Sequence, residues 1–277
     1  MAHRQNSVES STAATERARP LALVTGASAG IGREFAVMLA QRGHDLVVVA
    51  RRTDRLAELK REVAEKYGAR TKVVTEDLSH AAAPRRIIDQ LRASNLEIDF
   101  LVNNAGYGLN GRFLTHDWAT HADFLQVMVG SWLQLTHALL PAMVRKGRGR
   151  VLNVSSLASL CPEPPGSLYS PVKCLMTSAS RALRHDLLGT GVHCTALCPG
   201  FTYTEFHDVL GNRENMSKLP SFMWQSAQQV CTAGLDAVER NKPMMVPGAF
   251  NKTAAVLCRV LPYSMTSKFI PKSVMER

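Results

Sequence analysis

The sequence lacks a long apolar run and an apolar segment near its start. None of its 277 residues lies in an uncharged apolar stretch of about 18 residues, the length that a membrane-spanning helix requires. The first 20 residues have no apolar centre, so they do not show the pattern of a secretory signal. Together these absences predict a cytoplasmic location.

Metal-binding spacings of cysteine and histidine are also missing. The six cysteines form no Cys-x-x-Cys pair, and a chain of this length can fold without disulfides. Cys194, Cys198 and His193 lie close together, but their apolar run has the composition of a buried strand, which favours packing over ligation. The nine histidines are scattered along the chain. We therefore expect reduced thiols and no metal site.

The charge balance is basic, but the excess is not concentrated. There are 33 lysines and arginines against 23 acidic residues, a formal net charge of +10. Because this excess is spread out, we expect no nucleic-acid partner. The stretch 251–277 combines basic and apolar residues. Two interpretations stay open for it: weak contact with a membrane surface, or a helix packed on its own domain or on a partner subunit.

Three segments are predicted along the chain. Residues 1–19 contain almost no large apolar side chains, so we expect them to be disordered. Residues 20–250 are predicted to form one domain, and residues 251–277 a basic amphipathic extension. Within the domain, short β-branched runs alternate with longer helical patterns, which is typical of parallel strands joined by helices.

These β-branched runs define the predicted sheet. The predicted strands are Leu21–Thr25, Asp45–Ala50, Thr71–Thr75, Phe100–Asn103, Arg150–Ser155 and Val192–Cys198, with Pro243–Val246 as a candidate edge strand. The runs are nearly continuous in apolar residues, as in strands covered by helices on both faces. The fold class is therefore α/β, a doubly wound parallel sheet of the Rossmann type in a single domain. In such a sheet ligands bind beyond the carboxyl ends of the strands.

A glycine-rich turn follows the first predicted strand. Gly26, Ser28, Gly30, Ile31 and Gly32 lie between that strand and a helical pattern. Glycines let the backbone turn sharply and approach a pyrophosphate, and the helix N-terminus attracts the anion. The turn therefore predicts a dinucleotide-binding site, although its spacing departs from Gly-x-Gly-x-x-Gly.

The second predicted strand ends in Arg51 and Arg52, at the place where a carboxylate binds the ribose 2′-hydroxyl of NAD. A guanidinium can instead hold the 2′-phosphate of NADP through two parallel hydrogen bonds. Ser28 would add a hydroxyl to the same phosphate. We therefore predict NADP(H) as the cofactor. The alternative is that the arginines only flank an exposed helix start.

Two further turns complete the predicted cofactor site. Asp77 precedes Leu78 after the third strand. Its carboxylate is expected to accept a hydrogen bond from the exocyclic amine of adenine, to cap the next helix, or both. After the fourth strand, Asn104, Ala105 and Gly106 would bring small residues close to the cofactor. An ordinary turn would explain those three residues equally well.

The candidate chemistry lies at Ser156, Tyr169 and Lys173. Tyr169 and Lys173 are four residues apart on a predicted helix, so they share one face. A nearby ammonium favours the phenolate, so Lys173 is expected to lower the pKa of Tyr169 from about 10. Lys173 can also reach ribose hydroxyls. Ser156 ends the fifth strand, where its hydroxyl can hold a substrate carbonyl oxygen.

Five motifs, in order and spacing, resemble the short-chain dehydrogenase/reductase family over about residues 20–250. They are Thr25-Gly-x-x-x-Gly-x-Gly32, Asn103-Asn-Ala-Gly106, Asn153-Val-Ser-Ser156, Tyr169-Ser-Pro-Val-Lys173 and Cys198-Pro-Gly200. The resemblance implies an oxidoreductase that transfers a hydride between NADP(H) and a carbonyl or alcohol substrate. It assigns acid–base catalysis to Tyr169, orientation of the substrate oxygen to Ser156, and ribose binding with lowering of the tyrosine pKa to Lys173.

The same resemblance implies further cofactor contacts and an oligomer. Thr204 would lie near the phosphates, and homodimers or homotetramers would form through the helices at about 117–145 and 166–189. The contacts to the nicotinamide carboxamide would come from Pro199, Gly200 and Thr202.

One position departs from the family pattern. Met128 stands where the family usually has an asparagine that holds a proton-relay water. A thioether is a weak acceptor and donates no proton. Three interpretations stay open: a different relay, a slow enzyme, or an NADP(H)-binding sensor with little turnover.

The segment from Phe201 to about Gln225 occupies the place of the family's variable substrate lid. Its apolar content favours a lipophilic substrate, and packing under a loop would explain that content equally well. The apolar residues are Phe206, Met216, Phe222, Met223 and Trp224.

Overall fold

The computed structural model describes residues 19–109, 111–161, 168–205 and 220–266. Its central feature is a seven-stranded sheet in which every neighbouring pair of strands is parallel. A separate pair of short parallel strands lies beyond this sheet. The strands are β1 (Leu21–Thr25), β2 (Asp45–Ala50), β3 (Thr71–Thr75), β4 (Phe100–Asn103), β5 (Gly149–Val154), β6 (Val192–Leu197), β7 (Phe201–Tyr203), β8 (Trp224–Ser226) and β9 (Met244–Met245).

Helices connect most of the strands. They are α1 (Gly30–Gln41), α2 (Thr53–Tyr67), α3 (Ala83–Ala93), α4 (Trp118–Leu125), α5 (Trp132–Arg145), α6 (Tyr169–Asp186), α7 (Ala227–Glu239), α8 (Ala249–Val260) and α9 (Tyr263–Thr266). A π-helical turn, Gln126–Ser131, joins α4 to α5. Short 3₁₀ turns are formed by Phe113–Thr115, Leu157–Ser159 and Ser221–Met223.

The strand order in the large sheet is β3-β2-β1-β4-β5-β6-β9. The prediction of a doubly wound parallel sheet is therefore confirmed, and the candidate edge strand is β9, paired with β6. Chain order reverses between β1 and β4. In sheets of this kind the crevice beyond such a reversal is the usual ligand site.

The core consists of two layers, one on each face of the sheet. Ala22 and Val24 of β1 pack with Phe35 of α1 in one cluster, whereas Leu23 between them packs with Ile87 of α3 in the other. This alternation follows from the two-residue period of a strand. Both faces of the strands are covered, which explains why the strand sequences are apolar without interruption.

The stretch Trp118–Arg145 is long and apolar enough to cross a membrane by length and composition. Core helices of soluble proteins pass the same test. In this fold Leu135, Leu139 and Met143 belong to the buried layer on the second face of the sheet, so one apolar face of α5 is used in packing.

Three predicted features extend beyond the described residues. The N-terminal segment 1–18, the lid residues Phe206 and Met216, and the end of the C-terminal extension, 267–277, lie outside them. Arg19 is described, and it donates hydrogen bonds to the carbonyls of Gly43 and Tyr67 at 3.1 and 2.9 Å. Helix α8 begins at Ala249 and therefore runs across the predicted start of the extension.

Candidate active site

The turns after β1 and β4 meet at the reversal point of the sheet. The Thr25 hydroxyl accepts hydrogen bonds from the backbone amides of Asn104 and Ala105, each at 3.0 Å. The Asn104 side chain donates back to the Thr25 carbonyl, also at 3.0 Å. Thr25 is buried, so it fixes the two turns against each other and shapes the floor of the crevice.

The glycines of the first turn are required by close approach. A Cβ atom at Gly26 would lie 2.7 Å from Asn104 Nδ2, and the backbone φ of Gly26 is +68°. A Cβ atom at Gly32 would overlap the Gly26 carbonyl and the Asn104 amide. The residue before α1 is Ala29, whose side chain cannot cap the helix. The amides of the first helical turn therefore remain available to an anion.

A charged cluster lies beside the glycine turn. Arg52 donates through Nε and Nη2 to Ser28 Oγ, at 3.2 and 3.0 Å. Its third nitrogen, Nη1, lies 3.2 Å from Glu205. Arg55, in the first turn of α2, contacts both Glu205 oxygens at 2.6 and 2.8 Å. The hydrogen bond from Arg55 holds the pKa of Glu205 below its ordinary value.

Arg51 lies apart from this cluster. Its Nη1 is 3.6 Å from Asp77 Oδ2, and its side chain is 74% exposed. Asp77 also accepts a hydrogen bond from the Ser79 amide at 3.0 Å, within the turn after β3. The prediction that Asp77 caps the next helix is wrong, because α3 begins after Ala82 and has no side-chain cap. The carbonyl of Leu78 accepts a hydrogen bond from Ser131 at 2.8 Å. Of the two predicted arginines, Arg52 is therefore the one placed next to Ser28.

The segment after β6 returns to the same crevice. The Pro199 carbonyl accepts a hydrogen bond from the Leu157 amide at 2.7 Å, and Thr202 Oγ1 donates to the Gly200 carbonyl at 3.1 Å. A Cβ atom at Gly30 would lie 3.1 Å from Thr204 Cβ. Thr204 therefore stands against the glycine turn, where the resemblance implied a phosphate contact.

Ser156, Tyr169 and Lys173 converge next to this segment. Ser156 follows β5 and caps the turn Leu157–Ser159 by accepting from the Ala158 amide at 3.1 Å. The Tyr169 hydroxyl forms a hydrogen bond with the Ser156 side chain. Lys173, one helical turn further along α6, lies with Nζ 5.7 Å from the centre of the Tyr169 ring and donates to the Val154 carbonyl at 2.8 Å.

The pKa values of this pair differ from the sequence expectation. Burial raises the pKa of Tyr169 to about 12, and the hydrogen bond with Ser156 lowers it only in part. Burial also lowers the pKa of Lys173 to about 8. The expectation that Lys173 lowers the tyrosine pKa is thus wrong for this structure. Desolvation disfavours the charged form of both groups, and Lys173 is not among the causes of the shift in the tyrosine pKa.

Met128 lies in the π-helical turn and reaches the same site. A Cβ atom at Gly106 would be 2.9 Å from Met128 Sδ and 3.7 Å from Lys173 Nζ, so the thioether and the amine face the same glycine. The Met128 carbonyl accepts a hydrogen bond from Trp132 Nε1 at 2.9 Å. Met128 is 1% exposed. The departure from the family pattern therefore lies directly beside the catalytic candidates.

The aromatic residues of the predicted lid pack mainly on each other. Trp224 of β8 stacks on Tyr203 of β7, with ring centres 4.8 Å apart. Phe222 packs edge-on against Phe250 of α8 at 5.4 Å. The strands β7 and β8 were not predicted from the sequence. Because β7 and β8 pair, packing against Tyr203 explains the presence of Trp224 in this segment.

The predictions about cysteines and metal binding can be compared with the structure. Within the described parts of the chain, no group of three or more His, Cys, Asp and Glu residues could hold a metal ion. All six cysteines are free thiols. Cys194 and Cys198 are buried, which agrees with their interpretation as strand packing.

The fold and this site define a dinucleotide-binding α/β oxidoreductase. The sequence matches the short chain dehydrogenase family over residues 20–215, and the chain belongs to that family. Its similarity extends to solved structures. A short-chain dehydrogenase from Sphingobium yanoikuyae in complex with NADPH is 27% identical, with a TM-score of 0.76 and coverage of 88% of this chain and 96% of that one.

Curated relatives include reductases and dehydrogenases. The NADP-dependent 3-hydroxy acid dehydrogenase YdfG of Escherichia coli is 34% identical over 194 residues, covering 68% of this chain and 75% of that protein. The very-long-chain 3-oxoacyl-CoA reductase of Laccaria bicolor is 35% identical over 170 residues, which are 60% of this chain. The match spans only half of that reductase's length.

Sequence reasoning missed two members of the charged cluster, Arg55 and Glu205. Arg55 lies three residues after Arg52 on α2, so helical spacing was a usable signal for it. Glu205 comes from a segment about 150 residues away, and no local pattern pointed to it. Thr25 was noted only as part of a motif, and its hydroxyl proves to join the two turns.

Proposed function

We propose that this chain is an NADP(H)-dependent oxidoreductase that interconverts a carbonyl substrate and its alcohol. The observation that carries this proposal is the contact of Tyr169 with Ser156, beside the crevice formed by the β1 and β4 turns. The NADP-dependent relative and the NADPH-bound structural neighbour bear out the prediction of NADP(H) as the cofactor. The bound cofactor would supply or accept the hydride.

The crevice fits a nicotinamide dinucleotide. The turn at Gly26 and Gly32 leaves no room for a side chain, and the start of α1 can receive the pyrophosphate. Arg52 and Ser28 form a paired donor group at the place expected for the 2′-phosphate. At the other end, Thr202 and Gly200 would meet the nicotinamide carboxamide, and Lys173 the ribose hydroxyls.

Tyr169 would exchange the proton of the reaction. With a pKa of about 12 its phenol is protonated near neutral pH, so it can donate to the oxygen of a carbonyl that receives a hydride. Ser156 would donate a hydrogen bond to the same oxygen and stabilise the developing charge.

We infer that the substrate is a carbonyl compound or the alcohol formed from it. The 3-oxoacyl and 3-hydroxy acid names of the relatives make 3-oxoacyl thioesters and 3-hydroxy acids the first compounds to test. Phe222 is 68% exposed, so it remains a candidate contact for a lipophilic chain. Trp224 is held by Tyr203 instead.

The test of this proposal is Tyr169→Phe. The variant keeps the ring and loses the exchangeable proton, so turnover of NADPH with an active carbonyl is expected to fall by about 100-fold or more. NADPH binding, measured by fluorescence titration, should stay within about twofold because the ring still fills its site. Turnover that survives in the variant would contradict the assignment of Tyr169.

A second candidate function is an NADP(H)-binding sensor with little turnover. It is favoured by Met128, whose thioether faces Lys173 across Gly106 where the family usually has an asparagine. The same measurements separate the two functions. Tight NADPH binding by the natural chain without turnover on the whole substrate panel would favour the sensor, and measurable reduction would favour the enzyme.

We also propose that the chain is a cytoplasmic homodimer or homotetramer. Leu133 and Val144 on α5 and Leu175 on α6 are about two-fifths exposed, at 40%, 39% and 41%. Apolar side chains at this exposure on neighbouring long helices suit an interface between subunits. For the extension, α8 exposes Val256 and Val260 at 60% and 75%, so its outer face suits a second subunit or a membrane surface.

A further inference from the structure

The carboxylate of Glu205 is bound by two arginines of the charged cluster. Two guanidinium groups surround it: Arg55 contacts both oxygens at 2.6 and 2.8 Å, and Arg52 contacts one at 3.2 Å. The remaining nitrogens of Arg52 are directed at Ser28 Oγ. Ser28, Arg52, Arg55 and Glu205 come from three separate segments, so the cluster joins the turn after β1, the start of α2 and the end of β7.

The donors around Glu205 are those that a phosphate would use. Guanidinium groups bind carboxylate and phosphate oxygens with the same planar geometry. A phosphate monoester brings three acceptor oxygens and a charge of about −1.5 to −2, whereas a carboxylate brings two oxygens and a single charge. A phosphate at this position would therefore form more hydrogen bonds with the same side chains.

Exchange of one anion for the other is feasible from solvent. The side chains of Arg52, Arg55 and Glu205 are 42%, 39% and 45% exposed. Ion pairs at this exposure are weak because water screens them. Glu205 is thus held in a defined place by contacts that an incoming dianion can replace.

We propose that Glu205 is an internal competitor for the 2′-phosphate of NADP(H). Its carboxylate occupies the clamp formed by Arg52 and Arg55, and the cofactor displaces it on binding. This inference rests on the proposed NADP(H) site and adds a determinant of cofactor affinity to it. NADH has a hydroxyl in place of the phosphate, so it does not need the clamp and does not displace the carboxylate.

The test is Glu205→Gln, assayed by binding rather than by turnover. The dissociation constants of NADPH and NADH are measured by fluorescence titration at low and moderate salt. Adenosine 2′,5′-bisphosphate and AMP, compared by calorimetry, report on the 2′-phosphate without the nicotinamide. The variant is expected to bind NADPH and the bisphosphate about two- to fivefold more tightly, with NADH and AMP unchanged.

Glu239→Gln is the matched control. Glu239 is 46% exposed and pairs with Arg150 at 2.9 Å, so the control removes the same charge from a similar ion pair. Arg150 is the second residue of β5 and lies at the opposite end of that strand from Ser156. Glu239→Gln should therefore have a negligible effect on NADPH binding. A gain in both variants would mean that net charge, and not the clamp, changes the affinity, which would overturn the proposal.

A double-variant cycle makes the test specific. In an Arg55→Ala background the clamp has lost its strongest contact with Glu205, so adding Glu205→Gln should give less gain in NADPH affinity than it gives in the natural chain. Weaker NADPH binding by Glu205→Gln alone would show that the carboxylate positions the arginines, and an unchanged affinity would show no competition. Either result overturns the proposal. A natural chain that binds neither nucleotide would instead refute the proposed function itself.

Discussion

At the scale of single residues, the site depends on two buried groups whose pKa values are both shifted in the direction that favours the neutral form. Tyr169 has a pKa of about 12 and Lys173 of about 8, and burial is the main cause of both shifts. A protonated phenol is suited to donate a proton, and an amine with a pKa of about 8 can gain or lose one near neutral pH. Such groups carry a cost in stability that the function requires.

Lys173→Met is expected to remove the stability cost of burying the amine and, at the same time, to abolish turnover. The folded pKa of Lys173 is about 8, against about 10.4 in an unfolded chain. Between these two pH values the unfolded state binds more protons than the folded state. The contribution of Lys173 therefore makes the free energy of unfolding rise with pH in that range. At pH 7 the variant is expected to be more stable by about 2 kcal/mol, since the shift is worth about 3 and the lost hydrogen bond to Val154 offsets about 1.

Urea unfolding at a series of pH values checks this expectation. The difference between the variant and the natural chain should be constant below pH 8 and should narrow as the pH approaches 10.4. Turnover should be lost in the variant at every pH. A variant that is less stable than the natural chain at pH 7 would contradict the idea that Lys173 is buried at a cost.

At the scale of elements, the site is built by turns that follow the carboxyl ends of β1, β2, β4, β5 and β6. The first four strands of the sheet could be predicted residue by residue, because their apolar runs are bounded by turns and charged residues. Strand β5 begins and ends one residue earlier than predicted, and β6 ends one residue earlier than predicted. Ser156 follows from the same strand-to-turn logic, whereas Tyr169 and Lys173 were predicted from their four-residue spacing on a helix and from the family resemblance.

Other elements could not be predicted, for physical reasons. Strands β7 and β8 have three residues each, and their pairing depends on a contact between distant segments. The partners of Arg52 and Arg55 depend on where the chain returns after β7. The direction of the Tyr169 pKa depends on burial, which sequence spacing does not report. The position of Met128 beside Lys173 depends on the π-helical turn, which the sequence pattern did not predict.

Gly32→Ala tests the turn between β1 and α1. The new Cβ would meet the Gly26 carbonyl and the Asn104 side chain, so we expect a loss of about 1–3 kcal/mol in the free energy of unfolding and much weaker NADPH binding. Gly43→Ala is the control, because a Cβ there meets nothing within 4 Å although φ is +86°. It should cost only about 1–2 kcal/mol of backbone strain and leave NADPH affinity unchanged.

Urea unfolding and NADPH titration report the two effects separately. If Gly32→Ala binds NADPH as well as the natural chain does, the turn does not approach the pyrophosphate and its glycines serve packing alone. If Gly43→Ala weakens binding equally, general destabilisation explains both variants.

At the scale of the whole molecule, one parallel sheet brings segments from most of the chain to a single edge. In the proposed function the 2′-phosphate would bind at Ser28 and Arg52, and the reaction would take place at Ser156 and Tyr169. The helices that cover both faces hold these turns in register. The formal charge of +10 gives a general attraction for a cofactor with several phosphates, whereas we propose that the charged cluster provides the selectivity.

The central claim is that this chain transfers a hydride through the site at Tyr169. The most direct test is to incubate the natural chain with NADPH carrying deuterium at both C4 positions of the nicotinamide and a panel of carbonyl compounds, and to analyse the alcohols by mass spectrometry. We predict deuterium in a product alcohol with the natural chain and none above background with Tyr169→Phe. Absence of label from every product, or equal labelling by both proteins, would contradict the account.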